Sequence, residues 1–220
     1  SLIGPKKADV PWKQLEKQGW IATADVVEVR LPLPHSERLP YATAEPRQKY
    51  RIAAENPAKL SVLAQLLHKH ADDQVLIIGM YLEQLEAVQQ HFSFPLITGK
   101  TGVAQRQKLY EQFKTGEISR LIVSKVGNFA VDLPNANVMV QISGTFGSRQ
   151  EEAQRLGRIL RPKPDSSHMA HFYTLVTKDT QDQEFSANRQ LFLTEQGYQY
   201  TILYDHEVPA YEPASLPDSV

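Results

Sequence analysis

Apolar runs and amphipathic stretches alternate along most of this chain. Largely apolar runs are typical of strands buried on both faces, and they lie at 24–34, 75–80, 95–98, 120–124, 137–143, 171–177 and 198–204. Apolar residues at helical spacing predict helices at 57–70, 82–92, 103–113 and 183–197. Strands that alternate with helices favour an α/β fold with a mainly parallel central sheet and right-handed crossovers.

The two ends of the chain break this alternation. The strand at 24–34 is followed by a polar segment that Pro46 interrupts. We therefore interpret residues 1–56 as a lead-in segment or linker and residues 57–206 as the folded domain. The remainder, 207–220, is rich in Pro, Ser and acidic residues, which predicts a flexible tail.

Composition narrows the class of protein. The chain has 220 residues, a formal net charge of −1 and no cysteine, which excludes disulfides and thiolate metal sites. We expect a soluble cytoplasmic protein without a membrane contact, since no apolar run approaches the roughly 20 residues of a membrane span and the start lacks a signal-peptide core. The charge argues against bulk electrostatic binding of nucleic acid, but it allows a local basic stripe.

One such stripe is SRQEEAQRLGRILRPKP, residues 148–164. Ser148 followed by Glu151 forms a capping box, which predicts that a helix begins at Ser148. Pro162 disfavours helical geometry at Arg161, so the helix should end there. One apolar face is suited to packing on a sheet: Ala153, Leu156, Ile159 and Leu160.

Another face of this helix carries Gln154, Arg158 and Arg161. Two guanidinium groups a turn apart can clamp a polyphosphate or stabilise charge on a transferring phosphoryl group. Gly157 costs about 1 kcal/mol against Ala in a helix, which a packed neighbour or a close ligand would justify. The alternative is a solvated face on which Arg155 pairs with the acid one turn earlier.

A polar loop lies just upstream, after the apolar run that ends at Ser124. Open α/β sheets bind ligands in loops beyond the carboxyl ends of their strands. Asp132 in this loop could accept a hydrogen bond from a ribose hydroxyl, or it could be a turn residue before Pro134. The local sequence leaves both interpretations open.

These stretches resemble a known family. QRLGRILR (154–161) matches QxxGRxxR, motif VI of superfamily 2 helicases, and VGNFAVDLP (126–134) resembles their motif V. Within that superfamily the chain is similar to the xeroderma pigmentosum group B (XPB) helicases over about residues 1–204. The segments that carry the likeness are 2–6, 97–117, 124–163 and 172–198.

The resemblance implies a RecA-like, P-loop NTPase-type three-layer sandwich that lacks its own Walker A motif. GKT at 99–101 is the nearest candidate, but a P-loop needs a glycine where Phe94 stands. No DExH or DEAD box occurs either. We therefore expect the helicase C-terminal lobe, cut from a longer protein or expressed alone, and inactive by itself.

Family roles carry over residue by residue. Arg158 and Arg161 match arginine fingers that reach the γ-phosphate of ATP held, with magnesium, mainly by the first lobe, and we expect both to face the sheet's ligand-binding edge. Gln154 matches the residue that couples the nucleotide to that lobe. The positions implied near the nucleotide are Ala130, Asp132 and Gly157.

The implied DNA contacts are Thr98, Gly99, Thr101, Ser124 and Lys125. A helix N-terminus with free N–H groups explains why such a site needs little net charge. Two departures weaken the match of motif V. Asn128 stands where XPB helicases carry Asp, and Ala130 stands where many superfamily 2 motifs have Gly.

The resemblance implies ATP-driven translocation on DNA, 3′ to 5′, in DNA repair and promoter opening. The implied partners are DNA, the N-terminal RecA-like lobe of the same polypeptide, and repair or transcription accessory proteins; in a prokaryote the protein would associate with the nucleoid. The alternative is a non-catalytic RecA-like module for nucleic-acid binding or scaffolding.

Two further groups of residues predict no chemistry. The pairs His68/His70 and His168/His171 have no third ligand nearby, so we expect surface or turn histidines and no metal. The tyrosines that alternate along the last strand predict core packing rather than base stacking: Tyr198, Tyr200 and Tyr204.

Overall fold

A seven-stranded sheet in which every pairing is parallel organises the computed structural model. The structure describes residues 24–124, 135–144, 156, 159–163, 169–195 and 197–213. The strands are β1 (Ala24–Leu31), β2 (Val75–Gly79), β3 (Leu96–Ile97), β4 (Arg120–Ser124), β5 (Val138–Gln141), β6 (Ala170–Thr177) and β7 (Gln199–Tyr204), in the order β3-β4-β2-β5-β6-β1-β7. The predicted α/β class is confirmed.

Helices cover both faces of this sheet. They are α1 (His35–Thr43), α2 (Pro46–Ala54), α3 (Lys59–Lys69), α4 (Leu82–Phe92), α5 (Val103–Thr115), α6 (Gln181–Glu195) and a 3₁₀ helix (Asp205–Ala210). One core contains Leu63 of α3 and Leu85 of α4. The opposite core contains Phe113 of α5, Leu193 of α6 and Leu160. Helices on both sides of a parallel sheet make the three layers that the resemblance implies.

Parallel pairing gives the sheet two chemically different edges. All strands end at one edge, which we call the carboxyl edge, and begin at the other, the amino edge. Gly79 of β2 lies opposite Ser124 of β4, and Val123 of β4 lies opposite Ile97 of β3. The chain segments that follow β2, β4 and β3 therefore leave the carboxyl edge side by side.

The first described segment differs from its prediction as a linker. β1 lies inside the sheet between β6 and β7, and residues 35–43 and 46–54 are helical rather than irregular. Pro46 occupies the first turn of α2, where its missing N–H costs no hydrogen bond. The boundary drawn at residue 56 stays a prediction, although the sheet takes a strand from the segment before it.

The predicted tail also begins in an ordered structure. Val208 in the 3₁₀ helix is buried against the first core. Tyr211 donates a hydrogen bond from its hydroxyl to Asp25 Oδ2 at 2.7 Å. Residues 207–213 thus pack on the domain, and 214–220 lie outside the described residues.

Candidate nucleotide and nucleic-acid surfaces

A tight turn follows β3 at the carboxyl edge and brings three predicted DNA-contact residues together. The Thr98 N–H donates to Thr101 Oγ1 at 2.9 Å, and the Thr101 N–H donates to the Thr98 carbonyl at 3.1 Å. The Lys100 N–H donates to Thr98 Oγ1 at 3.2 Å. Gly99 and Lys100 are exposed at the tip. The threonine hydroxyls therefore hold the backbone of an exposed turn in one shape.

Helix α5 begins directly after this turn. Its N-cap is Gly102, which has extended backbone geometry, no side-chain cap and open space around its Cα. The first turn of the helix contains no acidic residue, and Val103 is 67% exposed. Uncapped N–H groups at the positive end of the helix dipole suit a phosphate group. This turn and helix start can bind an anion without a large positive charge.

Ser124 and Lys125 are the other two predicted DNA contacts. Ser124 ends β4 at the carboxyl edge, but it is only 1% exposed and its Oγ is buried without a hydrogen-bond partner among the described residues. This hydroxyl is therefore not accessible to nucleic acid in the structure. Lys125 lies outside the described residues.

Arg161 lies beside the amino edge. Leu156 and Ile159 are helical, and Leu160 forms a parallel bridge with Ala136, which precedes β5. The Arg161 N–H donates to the Ala136 carbonyl at 2.9 Å, and its Nη1 donates to the Leu160 carbonyl at 3.0 Å. The helix ends where Pro162 predicts, but the expected position of Arg161 at the carboxyl edge is wrong. A helix that follows a parallel strand must run back toward the start of the sheet.

The remaining predicted site residues lie outside the described residues. They are Ala130, Asp132, Gln154, Gly157 and Arg158. The structure therefore leaves open whether Asp132 contacts a ribose or forms a turn. The roles of all five stay predictions.

His70 follows α3 in a turn, which is one of the two predicted settings, and it is buried in a polar cluster at the amino edge. Its Nδ1 lies 2.7 Å from Asp73 Oδ2 and its Nε2 lies 2.6 Å from the Tyr173 hydroxyl. Asp73 Oδ1 also accepts from the Asn137 amide at 2.7 Å. A neutral imidazole fits these contacts, with Nδ1–H donating to the carboxylate and Nε2 accepting from the phenol.

Burial and hydrogen bonding set the protonation of this cluster. Burial lowers the pKa of His70, because the charged imidazolium loses its hydration. The hydrogen bond from His70 lowers the pKa of Asp73, and the Asn137 amide acts in the same direction. Burial raises the pKa of Tyr173. The cluster is therefore held as neutral His, ionised Asp and neutral Tyr at neutral pH.

His171 lies in β6 and is buried beside this cluster, so its prediction as a surface or turn residue is wrong. Its ring lies 5.3 Å from that of His70, centroid to centroid. Its Nδ1 lies 3.8 Å from Asp25 Oδ2, the oxygen that accepts from Tyr211. His68 is exposed as predicted, and His168 lies outside the described residues.

The tyrosines of the last strand divide between core and surface. Tyr198 is buried in the second core. The Tyr200 hydroxyl donates to Glu28 Oε1 at 2.6 Å, so this ring packs inward as predicted. Tyr204 is 38% exposed and stacks on His206, which departs from the prediction of core packing.

The residues that the structure describes contain no group of three His, Cys, Asp or Glu side chains that could hold a metal ion. They also contain no helix with the length and apolarity that crossing a membrane requires.

Comparisons with known proteins identify the family. The model of the family described as "ERCC3/RAD25/XPB C-terminal helicase" matches residues 15–215. The "DNA 3'-5' helicase XPB" of Kineococcus radiotolerans is 54% identical over 203 residues, which cover 92% of this chain and 36% of that protein. The "General transcription and DNA repair factor IIH helicase/translocase subunit XPB" of Encephalitozoon cuniculi is 38% identical over 209 residues, covering 93% and 31%.

A solved structure agrees on the fold. The C-terminal domain of the DEAD-box protein Dbp5 superposes with a TM-score of 0.59 at 12% identity, over 86% of this chain and 98% of that one. This likeness confirms the predicted RecA-like fold. The chain spans about a third of the length of the curated relatives it matches. On the match over residues 15–215 and on this fold, the chain belongs to the ERCC3/RAD25/XPB C-terminal helicase family.

Proposed function

We propose that this chain is the second motor lobe of an ATP-dependent DNA helicase or translocase that moves 3′ to 5′. The observation that carries the proposal is the family match over residues 15–215, together with 54% identity to a protein named DNA 3'-5' helicase XPB. Because the chain spans about a third of such relatives, the activity belongs to a longer polypeptide. Its other RecA-like lobe supplies most of the ATP site and, by the same family resemblance, the magnesium site.

The contribution of this lobe to ATP hydrolysis comes from its arginines. The main chain of Arg161 is fixed to Ala136, while its side chain remains partly exposed. A guanidinium held in this way can stabilise negative charge that develops on a transferring phosphoryl group. We assign Arg158 the same role and Gln154 the coupling of nucleotide to lobe closure. Ala130, Asp132 and Gly157 complete the proposed nucleotide contacts.

Contacts with DNA fall at the carboxyl edge. The turn at Thr98, Gly99 and Thr101 is held in shape by its own hydrogen bonds, and the uncapped start of α5 beside it offers backbone N–H groups to a phosphate. Ser124 ends β4 at the same edge, and we assign a DNA contact to it and to Lys125, the next residue in the sequence. Such contacts grip the sugar–phosphate backbone and carry no sequence information.

Separation of the two surfaces suggests a mechanism. Thr98 lies at the carboxyl edge and Arg161 beside the amino edge, so nucleotide and DNA contact different ends of the lobe. Closure of the lobes on ATP would bring the arginines to the γ-phosphate, and hydrolysis would release them. Because the turn at 98–101 directly follows β3, each closure of the lobes would move this turn and the DNA phosphates bound to it together with the sheet.

Partners beyond DNA follow from the relatives. One relative is named as a helicase/translocase subunit of a general transcription and DNA repair factor. We propose that the full-length protein works with repair or transcription accessory proteins. Action on DNA places it inside the cell, at the nucleoid if the source is prokaryotic.

Strand-specific translocation tests the proposal. Full-length protein should hydrolyse ATP faster when DNA is present, and it should displace a strand or a DNA-bound protein block from a 3′-tailed duplex but not from a 5′-tailed one. The 220-residue chain alone should show no ATP turnover. DNA binding without ATP hydrolysis by the full-length protein would instead support the non-catalytic module.

A further inference from the structure

Asn137 fixes the chain at the amino edge, where it enters β5. The residue is 9% exposed. Its Oδ1 accepts from the Gln74 N–H at 2.8 Å, directly before β2, and its main-chain carbonyl accepts from the His171 N–H of β6 at 2.9 Å. Its Nδ2 donates to Asp73 Oδ1 at 2.7 Å, in the turn that leads to β2. One asparagine therefore ties the entrance of β5 to both neighbouring strands and to that turn.

The residue before Asn137 holds the chain that leads to Arg161. The Ala136 N–H donates to the Ile159 carbonyl at 3.0 Å, and the Ala136 carbonyl accepts from the Arg161 N–H at 2.9 Å. Ala136 is buried and forms its parallel bridge with Leu160 through these two bonds. The main chain of Arg161 is thus fixed to the residue whose place Asn137 sets.

Asp73 is itself held in place, so it is a firm anchor for the amide. Its Oδ2 lies 2.7 Å from His70 Nδ1. The hydrogen bond from His70 lowers the pKa of Asp73, which keeps this carboxyl group ionised at neutral pH. Lys163 Nζ lies 3.5 Å from Asp73 Oδ1, but its side chain is 39% exposed, and exposed ion pairs contribute little. The amide of Asn137 is therefore the main partner of this oxygen.

The role proposed for Arg161 needs a precisely placed main chain. A catalytic group has to be held within about 0.5 Å of its productive position. The side chain of Arg161 is long and partly exposed, so its guanidinium can reach a phosphate reproducibly only if its main chain is fixed. The bond to Ala136 and the hydrogen bonds of Asn137 provide this fixed starting point.

We propose that Asn137 is a positioning residue for ATP hydrolysis: its amide, bonded to Asp73 and Gln74, sets the place of Ala136 and hence of Arg161. The inference rests on the proposed function, since it assumes that Arg161 acts on ATP. Asn137 itself makes no contact with the nucleotide in this account. Its effect on hydrolysis passes through the hydrogen bond between Ala136 and Arg161.

A second buried asparagine offers a matched control at the carboxyl edge. Asn56 is 1% exposed. Its Oδ1 accepts from the Ala58 N–H at 2.9 Å, and its Nδ2 donates to the Pro32 carbonyl at 3.1 Å, just after β1. Each asparagine thus accepts from a main-chain N–H and donates from its amide in a buried site. Only Asn137 lies next to Ala136.

The test is DNA-stimulated ATP hydrolysis by full-length protein, below the unfolding temperature of every variant. The kcat is taken per molecule that binds DNA, counted by stoichiometric titration, so that unfolded protein does not lower it. Asn137→Ala should lower kcat at least about tenfold, since misplacing a reacting group by 1 Å can cost about 100-fold. KM for ATP and DNA affinity should change less than about threefold. Asn56→Ala should keep the wild-type kcat.

An exchange of the two side chains protects the test against misfolding. Asn137→Asp alone places two carboxylates against each other, and it should lower kcat in the same selective way. Adding Asp73→Asn restores a pair of one amide and one carboxylate with donor and acceptor exchanged, and the new carboxylate can still accept from the Gln74 N–H. The double variant should therefore recover most of the wild-type kcat.

Three results would overturn the inference and leave the proposed function intact. They are a wild-type kcat in folded Asn137→Ala, an equal loss of kcat in Asn56→Ala, and no recovery of kcat when Asp73→Asn is added to Asn137→Asp. Absence of DNA-stimulated hydrolysis in the wild type would overturn both, so the two failures are distinguishable.

Discussion

The two edges of the sheet use polar residues in opposite ways. At the amino edge, His70 and Tyr173 are buried, and His70 hydrogen-bonds both Tyr173 and the partly exposed Asp73. At the carboxyl edge, Thr98 and Thr101 use their hydroxyls to shape an exposed turn before an uncapped helix. At the amino edge, polar side chains that hydrogen-bond one another stabilise the fold. At the carboxyl edge, the exposed turn leaves the backbone N–H groups at the start of α5 accessible to a ligand.

Arg161 belongs to neither pattern. Its main chain is fixed beside the amino edge, but its side chain is partly exposed. The proposed nucleotide contact is therefore far from the proposed DNA contact along the strand direction.

His70→Leu should lower the free energy of unfolding by about 1–3 kcal/mol, since it leaves the buried Tyr173 hydroxyl and one oxygen of the partly exposed Asp73 without their partner. Chemical denaturation of the chain measures the loss. His68→Leu, in the last turn of α3 and two residues before His70, is the control, because His68 is exposed and should change stability by no more than about 0.5 kcal/mol. Equal effects of the two variants would contradict a structural cluster at the amino edge.

Acid should weaken the same cluster. Because burial lowers the pKa of His70, the unfolded chain binds a proton near pH 6.5 that the folded chain still rejects. The cluster should therefore contribute its full stabilisation above about pH 6.5. Below that pH the free energy of unfolding should decrease, by at most about 1.4 kcal/mol per pH unit for each proton bound. The lowered pKa of Asp73 adds a second loss below about pH 3.9.

Denaturation between pH 8 and pH 5 measures this dependence. His70→Leu should have a shallower slope than the wild type, while His68→Leu should retain the wild-type slope. A wild-type stability that rises as the pH falls from 7 to 5 would show that His70 is charged in the folded state.

Thr101→Val should weaken DNA binding by the full-length protein about two- to tenfold, since it removes one net hydrogen bond of about 0.5–1.5 kcal/mol from the turn. Thr115→Val at the far end of α5 is the control; its hydroxyl bonds only within that helix end, to the Gln112 carbonyl, among the described residues. Titration with fluorescent single-stranded DNA measures both. A loss with Thr115→Val as large as with Thr101→Val would place DNA away from the turn.

Much of the fold could be predicted because buried parallel strands have a strong sequence signal. The helix at 82–92 and the strand at 120–124 have their predicted bounds. Helices α1 and α2 were missed because their sequences carry prolines and few apolar residues, and α1 buries no side chain. Pro46 was interpreted as a break, although proline is also common in the first turn of a helix.

The sequence indicates which residues the candidate site contains, but it does not show where these residues lie relative to one another. The turn at 98–101 lies where the resemblance implies, but the position of Arg161 required the direction of its helix. A predicted helix of about 13 residues is roughly 20 Å long, which exceeds the length of the short strand β5. This comparison of the two lengths predicts that Arg161 lies near the amino edge. Asn137 carried a signal as well, since it is the polar first residue of the apolar run at 137–143.

The central claim is that this lobe supplies an arginine to an ATP site on another lobe, away from its own DNA contacts. Steady-state ATP hydrolysis and DNA affinity of full-length Arg161→Ala test it most directly, with Lys163→Ala as the matched loss of a nearby cation. The account predicts that Arg161→Ala lowers DNA-stimulated kcat about 1,000-fold or more and changes DNA affinity less than about threefold, while Lys163→Ala retains hydrolysis. Losses of equal size in hydrolysis and DNA binding, or an unchanged kcat, would contradict it.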